Sequence, residues 1–288
     1  MSGSVLFDAP GPRTVARHRV YTGFALVALV ALLAYFVYRL WSHDQLTYGK
    51  WEVFVTPAYM RALLVDGVLT TLSMAFSAII LAVVLGVFLG VGKLSDRVWV
   101  RRPCWAVVEF FRAVPVLLLM VLIFYSYGIT RGATGAYWSV VIALALYNGA
   151  VLAEVFRAGV LAVPRGQTEA AYAIGMRNGQ VMRIVLLPQA VKIMLPAIIS
   201  QCVVALKDTS LGYAVAAPGL TQVGRDIYNG FGNQVPTILV ISSLYVAMNL
   251  VLTWIATWVQ RRFVGERKQL TIPMVGEADP DAKVTQGV

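Results

Sequence analysis

Five ionisable side chains lie inside stretches of this sequence that are otherwise apolar: Glu109, Arg112, Glu154, Lys207 and Asp208. A charge at the centre of a membrane helix costs roughly 2.5 to 3.5 kcal/mol on insertion scales unless it is paired or wetted, so each needs a reason to be there. Glu109 falls near the end of its stretch and can snorkel to the headgroups, whereas Arg112 sits ~12 Å in at 1.5 Å per residue. In the next stretch Asn148 falls near the middle, and Glu154 lies ~9 Å closer to the end. Six residues leave these two side chains roughly 120° apart, while Tyr147, Ala150 and Glu154 more nearly share a face. Two roles fit the charges: an Arg112–Glu154 bridge that braces the helices, or a polar lining for a solute path. Lys207-Asp208-Thr209-Ser210 is the densest polar cluster in any apolar stretch, and its adjacent side chains diverge by about 100°. It suits pairing between helices or contact with a solute.

The elements that must position these groups follow from composition. The 288 residues are 59% hydrophobic and 13% charged, with mean hydropathy +0.73, too little polar surface for a water-soluble domain of this size. Six stretches are long enough to cross a ~30 Å hydrocarbon core: Val20 to Leu40, Val65 to Val91, Cys104 to Tyr127, Tyr137 to Phe156, Leu195 to Ala217 and Pro236 to Val259. Only helices satisfy every backbone group within one such segment, so the expected fold is an all-α integral membrane protein, a six-helix bundle. Lys and Arg cluster before the first stretch (Arg13, Arg17, Arg19), around residues 93–102, across residues 157–192 and after the last stretch. The other side carries only Lys50, Arg61, Arg131 and Arg225, which predicts both termini in the cytoplasm (N-in, C-in). The Gly86-x-x-x-Gly90 spacing predicts close helix packing in the second span.

Several classes fall away. The net charge of +10 is accounted for by topology and anionic headgroups, so no nucleic-acid partner is implied. No stretch fits G-x-x-x-x-G-K-[ST], so the chain has no P-loop, and no G-x-S-x-G nucleophile elbow is present. His18 and His43 fall at opposite faces, far from Cys104 and Cys202, so no metal set is expected. The two cysteines sit near the cytoplasmic ends of spans and are expected to stay reduced. The first apolar run, about 21 residues, exceeds the usual 7 to 15 of a signal-peptide core and lacks a small-x-small cleavage site, so it is expected to be retained. The pieces are then a basic cytoplasmic N-terminus at 1–19, an extra helix at 20–41, a five-span core at 64–263 and a disordered cytoplasmic tail at 264–288.

Within the core, the loop at 164–192 has a helix-turn-helix grammar. Thr168 can cap a first turn that holds Glu169, Ala170 and Ala171, Gly175 can take a left-handed stop, and Asn178 can cap the next helix before Leu187-Pro188. An ordinary amphipathic loop would satisfy the same grammar. The spacing resembles the EAA loop of ABC-transporter permeases, with Val185 where Ile is usual. Gly67 with Thr70 and Thr71, Phe111-Arg112-Ala113-Val114-Pro115, Asn148-Gly149-Ala150 with Leu152-Ala153-Glu154, Pro164-x-Gly166-Gln167, Leu187-Pro188-Gln189-Ala190 and Leu206 to Leu211 resemble motifs of the polar amino-acid branch. That branch serves histidine, glutamine and glutamate. Ala113-Val114 in place of Gly-Thr is similar to glutamate and aspartate permeases, actinobacterial glutamate importers in particular.

The resemblance implies a type I ABC importer permease in the cell membrane, a multi-pass subunit that works by alternating access and is itself no enzyme. ATP and Mg would be used by separate ATPase subunits, and this chain would bind no cofactor. A second permease, paralogue or identical copy, would complete the pathway, and an extracytoplasmic amino-acid-binding protein would deliver substrate. Glutamate or aspartate is the expected cargo, with glutamine or arginine as alternatives. Glu169, Ala170, Ala171, Gly175 and Pro188 would couple to the ATPase. A zwitterion needs an acceptor for its ammonium and donors for its carboxylates, which Glu154, Arg112, Thr71 and Asn148 would supply. Lys207, Asp208, Thr209 and Ser210 would line the pathway or tie helices together. A secondary transporter or channel would give the Glu169 loop no task, and a membrane enzyme lacks a visible catalytic set.

Overall fold

The computed structural model describes residues 12–264, and these are helical almost throughout. Helix α1 (Pro12–Ser42) stands apart: of its residues from Arg19 onward only Leu40 is buried, so its apolar surface meets no part of the core. A helix apolar on every side is one that lipid covers. Two short helices follow, α2 (Tyr48–Val55) and α3 (Pro57–Arg61), separated by extended Thr56, the conformation a following proline enforces. The Asn233 side-chain amide donates to the Lys50 carbonyl at 3.0 Å and ties this segment to a later part of the chain, while Trp51 Nε1 donates to the Gln45 carbonyl at 2.9 Å within it.

A wide π turn at Ala62–Leu69 leads into α4 (Thr70–Lys93). The stretch expected as one span from Cys104 to Tyr127 is divided: α5 (Val98–Ala113) ends at extended Val114, and Pro115 precedes α6 (Val116–Ile123). Proline removes the amide that would continue the helix and pushes Val114 out of the helical region. Five helical runs among the described residues are long and apolar enough to cross a membrane, rather than the six expected. The count falls by one because α6 runs on into α7 as a single stretch from Val116 to Leu161, while the α5 half of the broken run carries Arg101, Arg102, Glu109 and Arg112.

The chain then reverses at Gly132 (φ +56) and enters α7 (Gly132–Leu161), the most buried helix of the bundle. Its start lies flat on the preceding turn: a side chain at Gly128 would collide with the Gly135 carbonyl and Ser139. α4 packs along α7 through small residues. A Cβ at Gly86 would lie 2.7 Å from Leu152 Cβ, and one at Gly149 2.9 Å from Leu85, so the Gly86-x-x-x-Gly90 expectation holds. Val140, Val141 and Leu144 of α7 fill the centre of the bundle with Met74, Met120 and Val215.

The remaining elements are α8 (Arg165–Ala173), α9 (Asn178–Gln180), a π turn at Val181–Leu186, α10 (Leu187–Asp208), a 3-10 turn at Thr209–Val215, α11 (Leu220–Phe231) and α12 (Gln234–Val264). Left-handed Ala216 and Gly219 at φ +146 turn the chain into α11, whose Leu220 and Ile227 pack with Val53 and Leu63. Residues 1–11 of the expected N-terminal segment and 265–288 of the expected tail lie outside the described residues.

Candidate functional site

Three helices turn their polar positions to one side. α5 offers Arg101, Trp105, Glu109 and Arg112, α7 offers Tyr147, Val151, Glu154 and Arg157, and α10 offers Gln201, Val204 and Asp208. Spacings of three and four residues keep each set on one helix face. Together they line two cavities that share Arg112. The deeper along the bundle, counted from its basic end, is about 500 Å³ and is bounded by Arg112, the Ala113–Val116 break, Tyr147, Val151, Gln201, Val204 and Asp208. The other, about 570 Å³, opens toward the basic end of the bundle and is bounded by Lys93, Arg101, Arg102, Trp105, Glu109, Arg112, Glu154 and Arg157. A larger apolar cavity of about 760 Å³ lies between α4, α7 and α10, with Ser95, Asp96 and Arg183 its only polar lining.

The charges on the stripe are wired differently from the Arg112–Glu154 bridge the sequence suggests. Glu154 is engaged through both oxygens: Lys93 pairs with Oε1, and Arg157 Nε donates to Oε2 at 2.9 Å. Arg112 instead pairs with Glu109, Nη1 to Oε1 at 3.4 Å, and Lys93 Nζ lies 3.7 Å from the same oxygen. The Lys93 side chain is only 5% exposed, so it is the hub of the cluster. Its position in the sequence, at the end of a span, reads as a headgroup contact; beside it Gly92 packs so closely on Cys104 that no side chain fits there, which brings α4 and α5 together at this level.

Asn148 is buried, donates to the Leu144 carbonyl at 2.8 Å and accepts from Gln201 Nε2 at 2.5 Å, which ties α7 to α10. Gln201 had no signal in the sequence, being uncharged and alone on its turn. Ala150 faces inward against Val108 and Leu89, so Val151 rather than Ala150 joins Tyr147 and Glu154 on the stripe. Thr71 lies elsewhere: fully buried, its Oγ1 accepts the Leu220 amide at 2.9 Å and fastens α4 to α11. In the cluster at residues 207–210, Lys207 is exposed and Asp208 half-buried, and neither forms an ion pair among the described residues. Thr209 is buried, donates to the Leu206 carbonyl at 2.7 Å and faces Tyr245 across 3.5 Å. Ser210 is half-buried beside it.

At the basic end, α8 begins at Arg165 behind Pro164, so Thr168 lies within the helix and caps nothing, and Glu169 falls beyond the first turn. Gln167 and Gln189 face each other at 3.4 Å and link α8 to α10 just after Pro188. Gly175 takes the expected left-handed conformation at φ +82. The residue ahead of α9 is Arg177 rather than Asn178, and its amide donates to Gln180 Oε1 at 2.9 Å. Glu169 and Ala170 are exposed, Ala171 is buried, and Ile174 and Tyr172 present apolar surface at 79% and 47% exposure. Exposed apolar side chains on a polar loop suit contact with another surface, protein or membrane.

Residues 57–265 match the family model described as "Binding-protein-dependent transport system inner membrane component". The glutamate transport system permease protein GluD of Corynebacterium glutamicum is 36% identical over 243 residues, covering 83% of this chain and 89% of that protein. The glutamate/aspartate import permease protein GltK of Escherichia coli O157:H7 is 30% identical over 208 residues, 69% of this chain and 92% of its own length. Among solved structures, an amino acid ABC transporter crystallised with histidines aligns with TM-score 0.64 at 28% identity, over 71% of this chain and 95% of that one.

Proposed function

From a chain that belongs to the family of binding-protein-dependent transport system inner membrane components, we propose a permease subunit of an ABC importer for acidic amino acids, glutamate or aspartate. The observation that carries this reading is the polar stripe of α5, α7 and α10, an open-sided groove deep in a bundle whose other faces are apolar. A groove open on one side is half a pathway, and a second permease, identical or paralogous, supplies the other wall. Six crossings with both termini inside fit the charge distribution when α5 and α6 are counted as one crossing broken at Pro115.

In the deeper cavity Arg112 donates to a substrate carboxylate, Asp208 accepts from its ammonium, and Gln201 and Tyr147 orient it. Asp208 takes the ammonium in preference to Glu154, because both Glu154 oxygens are occupied by Lys93 and Arg157. Asn148 acts through Gln201, and Thr71 acts on the outer end of the bundle through Leu220. The family carries its ATP hydrolysis outside the permease. α8 with Glu169, Ala170 and the exposed Ile174 docks on that ATPase, Gly175 and Pro188 fix its angle, and an extracytoplasmic binding protein loads the outer side.

The test is uptake of labelled glutamate into proteoliposomes that hold the permease complex with its ATPase and binding protein. ATP-dependent accumulation, displaced by unlabelled aspartate but not by arginine, is the expected result. Asp208→Asn lowers uptake at least about tenfold, the loss of one hydrogen bond to a charged group. Uptake unchanged in that variant would remove Asp208 from the substrate's path.

A further inference from the structure

The cavity at the basic end is not neutral. Lys93, Arg101, Arg102, Arg112 and Arg157 face it with only Glu109 and Glu154 in opposition. Both carboxylates are already used: Glu154 by Lys93 and Arg157, and Glu109 through Oε1 by Arg112 and Lys93. Arg101 and Arg102 have no carboxylate partner among the described residues, and the only hydrogen bond of the Arg101 guanidinium goes to the Ser95 carbonyl at 3.4 Å. Two guanidiniums that line a 570 Å³ cavity without a carboxylate partner among the described residues suit an anion, and guanidinium groups bind carboxylates in two-point fashion. Glu109 Oε2 is unengaged and offers an acceptor to an ammonium group.

We propose that this vestibule is a second, inward-facing site for a free dicarboxylic amino acid, occupied from the cytoplasm and able to slow import when the cell is full. The occupant's side-chain carboxylate bridges Arg101 and Arg102, while its ammonium reaches Glu109. Arg112 belongs to both cavities, so a molecule in the vestibule competes for the guanidinium that the incoming substrate needs. Accumulated cargo therefore opposes further uptake within the permease itself. This rests on the orientation and the cargo proposed above. An anionic lipid headgroup has the same attraction for Arg101, Arg102 and exposed Trp105, and the experiment separates that source.

The complex with its ATPase is reconstituted in two lipid mixtures, zwitterionic alone and with phosphatidylglycerol, and initial uptake is measured with the lumen empty or loaded with glutamate or glutamine. Each result is read as the loaded-to-empty ratio within one protein. Lumenal glutamate is expected to lower the ratio several-fold in both lipid mixtures, and glutamine, lacking one charge, to leave it near one. In R101Q/R102Q the glutamate concentration that halves uptake rises at least about tenfold. Binding of labelled glutamate to the purified complex without binding protein is the companion measurement: the double variant loses the vestibule component, and Asp208→Asn loses the deep one. If wild type shows no uptake but the R101Q/R102Q-sensitive binding persists, the cargo assignment fails and the vestibule stands. Equal inhibition by glutamine, an unaltered ratio in R101Q/R102Q, or inhibition that vanishes whenever phosphatidylglycerol is present would overturn the proposal, the last assigning the guanidiniums to lipid.

Discussion

Lys93 and Glu154 illustrate how a residue's role depends on what surrounds it. Lys93 is almost fully buried against Glu154 and Glu109, so removing Glu154's charge leaves a buried ammonium with one poorly placed partner. Breaking such a pair from one side costs more than replacing both members, which makes the cluster testable by a double-mutant cycle. Glu154→Gln alone is expected to destabilise the detergent-solubilised protein by about 1–3 kcal/mol, the usual range for a buried polar group left unpaired. Lys93→Met combined with Glu154→Gln recovers part of that loss, read as a higher Tm than in the Glu154→Gln single variant. A Tm of the double variant equal to the sum of two independent losses would mean that the pair is not coupled. Arg112, Asn148, Glu154 and Asp208 were visible in the sequence because a polar group in an apolar run is conspicuous. Lys93 and Gln201 were not: one sat where lysines ordinarily meet headgroups, and the other bears no charge to stand out.

Secondary elements were legible in kind and less so in their joints. Hydropathy marks where helices run, but a window cannot see that Pro115 divides one of them, because its neighbours Val114 and Val116 are as apolar as any in the span. That division ends α5 one residue past Arg112 and lets the backbone at Ala113–Val116 border the deep cavity. Pro115→Ala restores the missing amide and removes the restraint on Val114. It is expected to lower uptake while leaving expression and Tm near wild type; normal uptake would show that the break has no part in transport. In the loop at 164–192 the first helix begins four residues earlier than the Thr168 cap implies, since Pro164 starts it without a side-chain cap. Gly175 is the joint in that loop that tolerates no branched side chain. Gly175→Val places a β-branched residue at φ +82, at a cost of about 1–2 kcal/mol or more, and is expected to loosen α8 from the angle set by Pro188. In the reconstituted complex the outcome is less glutamate moved per ATP hydrolysed. An unchanged ratio would take α8 out of the coupling route.

As a whole molecule the chain is an apolar bundle around α7 with one polar groove and one helix set aside. The family match begins at residue 57, and of the residues of α1 from Arg19 onward only Leu40 is buried, so the core is expected to hold together without it. Removal of residues 1–43 is expected to leave the thermal stability of the core intact, whereas loss of α12 would strip Ile241 and Leu244 from the cluster around Leu220. A large fall in Tm on removing residues 1–43 would place α1 within the folding unit. The groove could not be read from the sequence as a surface, because its three walls come from segments up to a hundred residues apart. What the sequence held was the periodicity of each wall taken separately.

The passive role of this chain, driven from outside, is tested by glutamate accumulation in proteoliposomes that contain binding protein and this permease complex, with and without its ATPase. That role predicts accumulation only when the ATPase is present and hydrolysing, with Glu169→Lys on exposed α8 cutting both transport and binding-protein-stimulated hydrolysis. Accumulation by the permease in vesicles that hold no ATPase would contradict it.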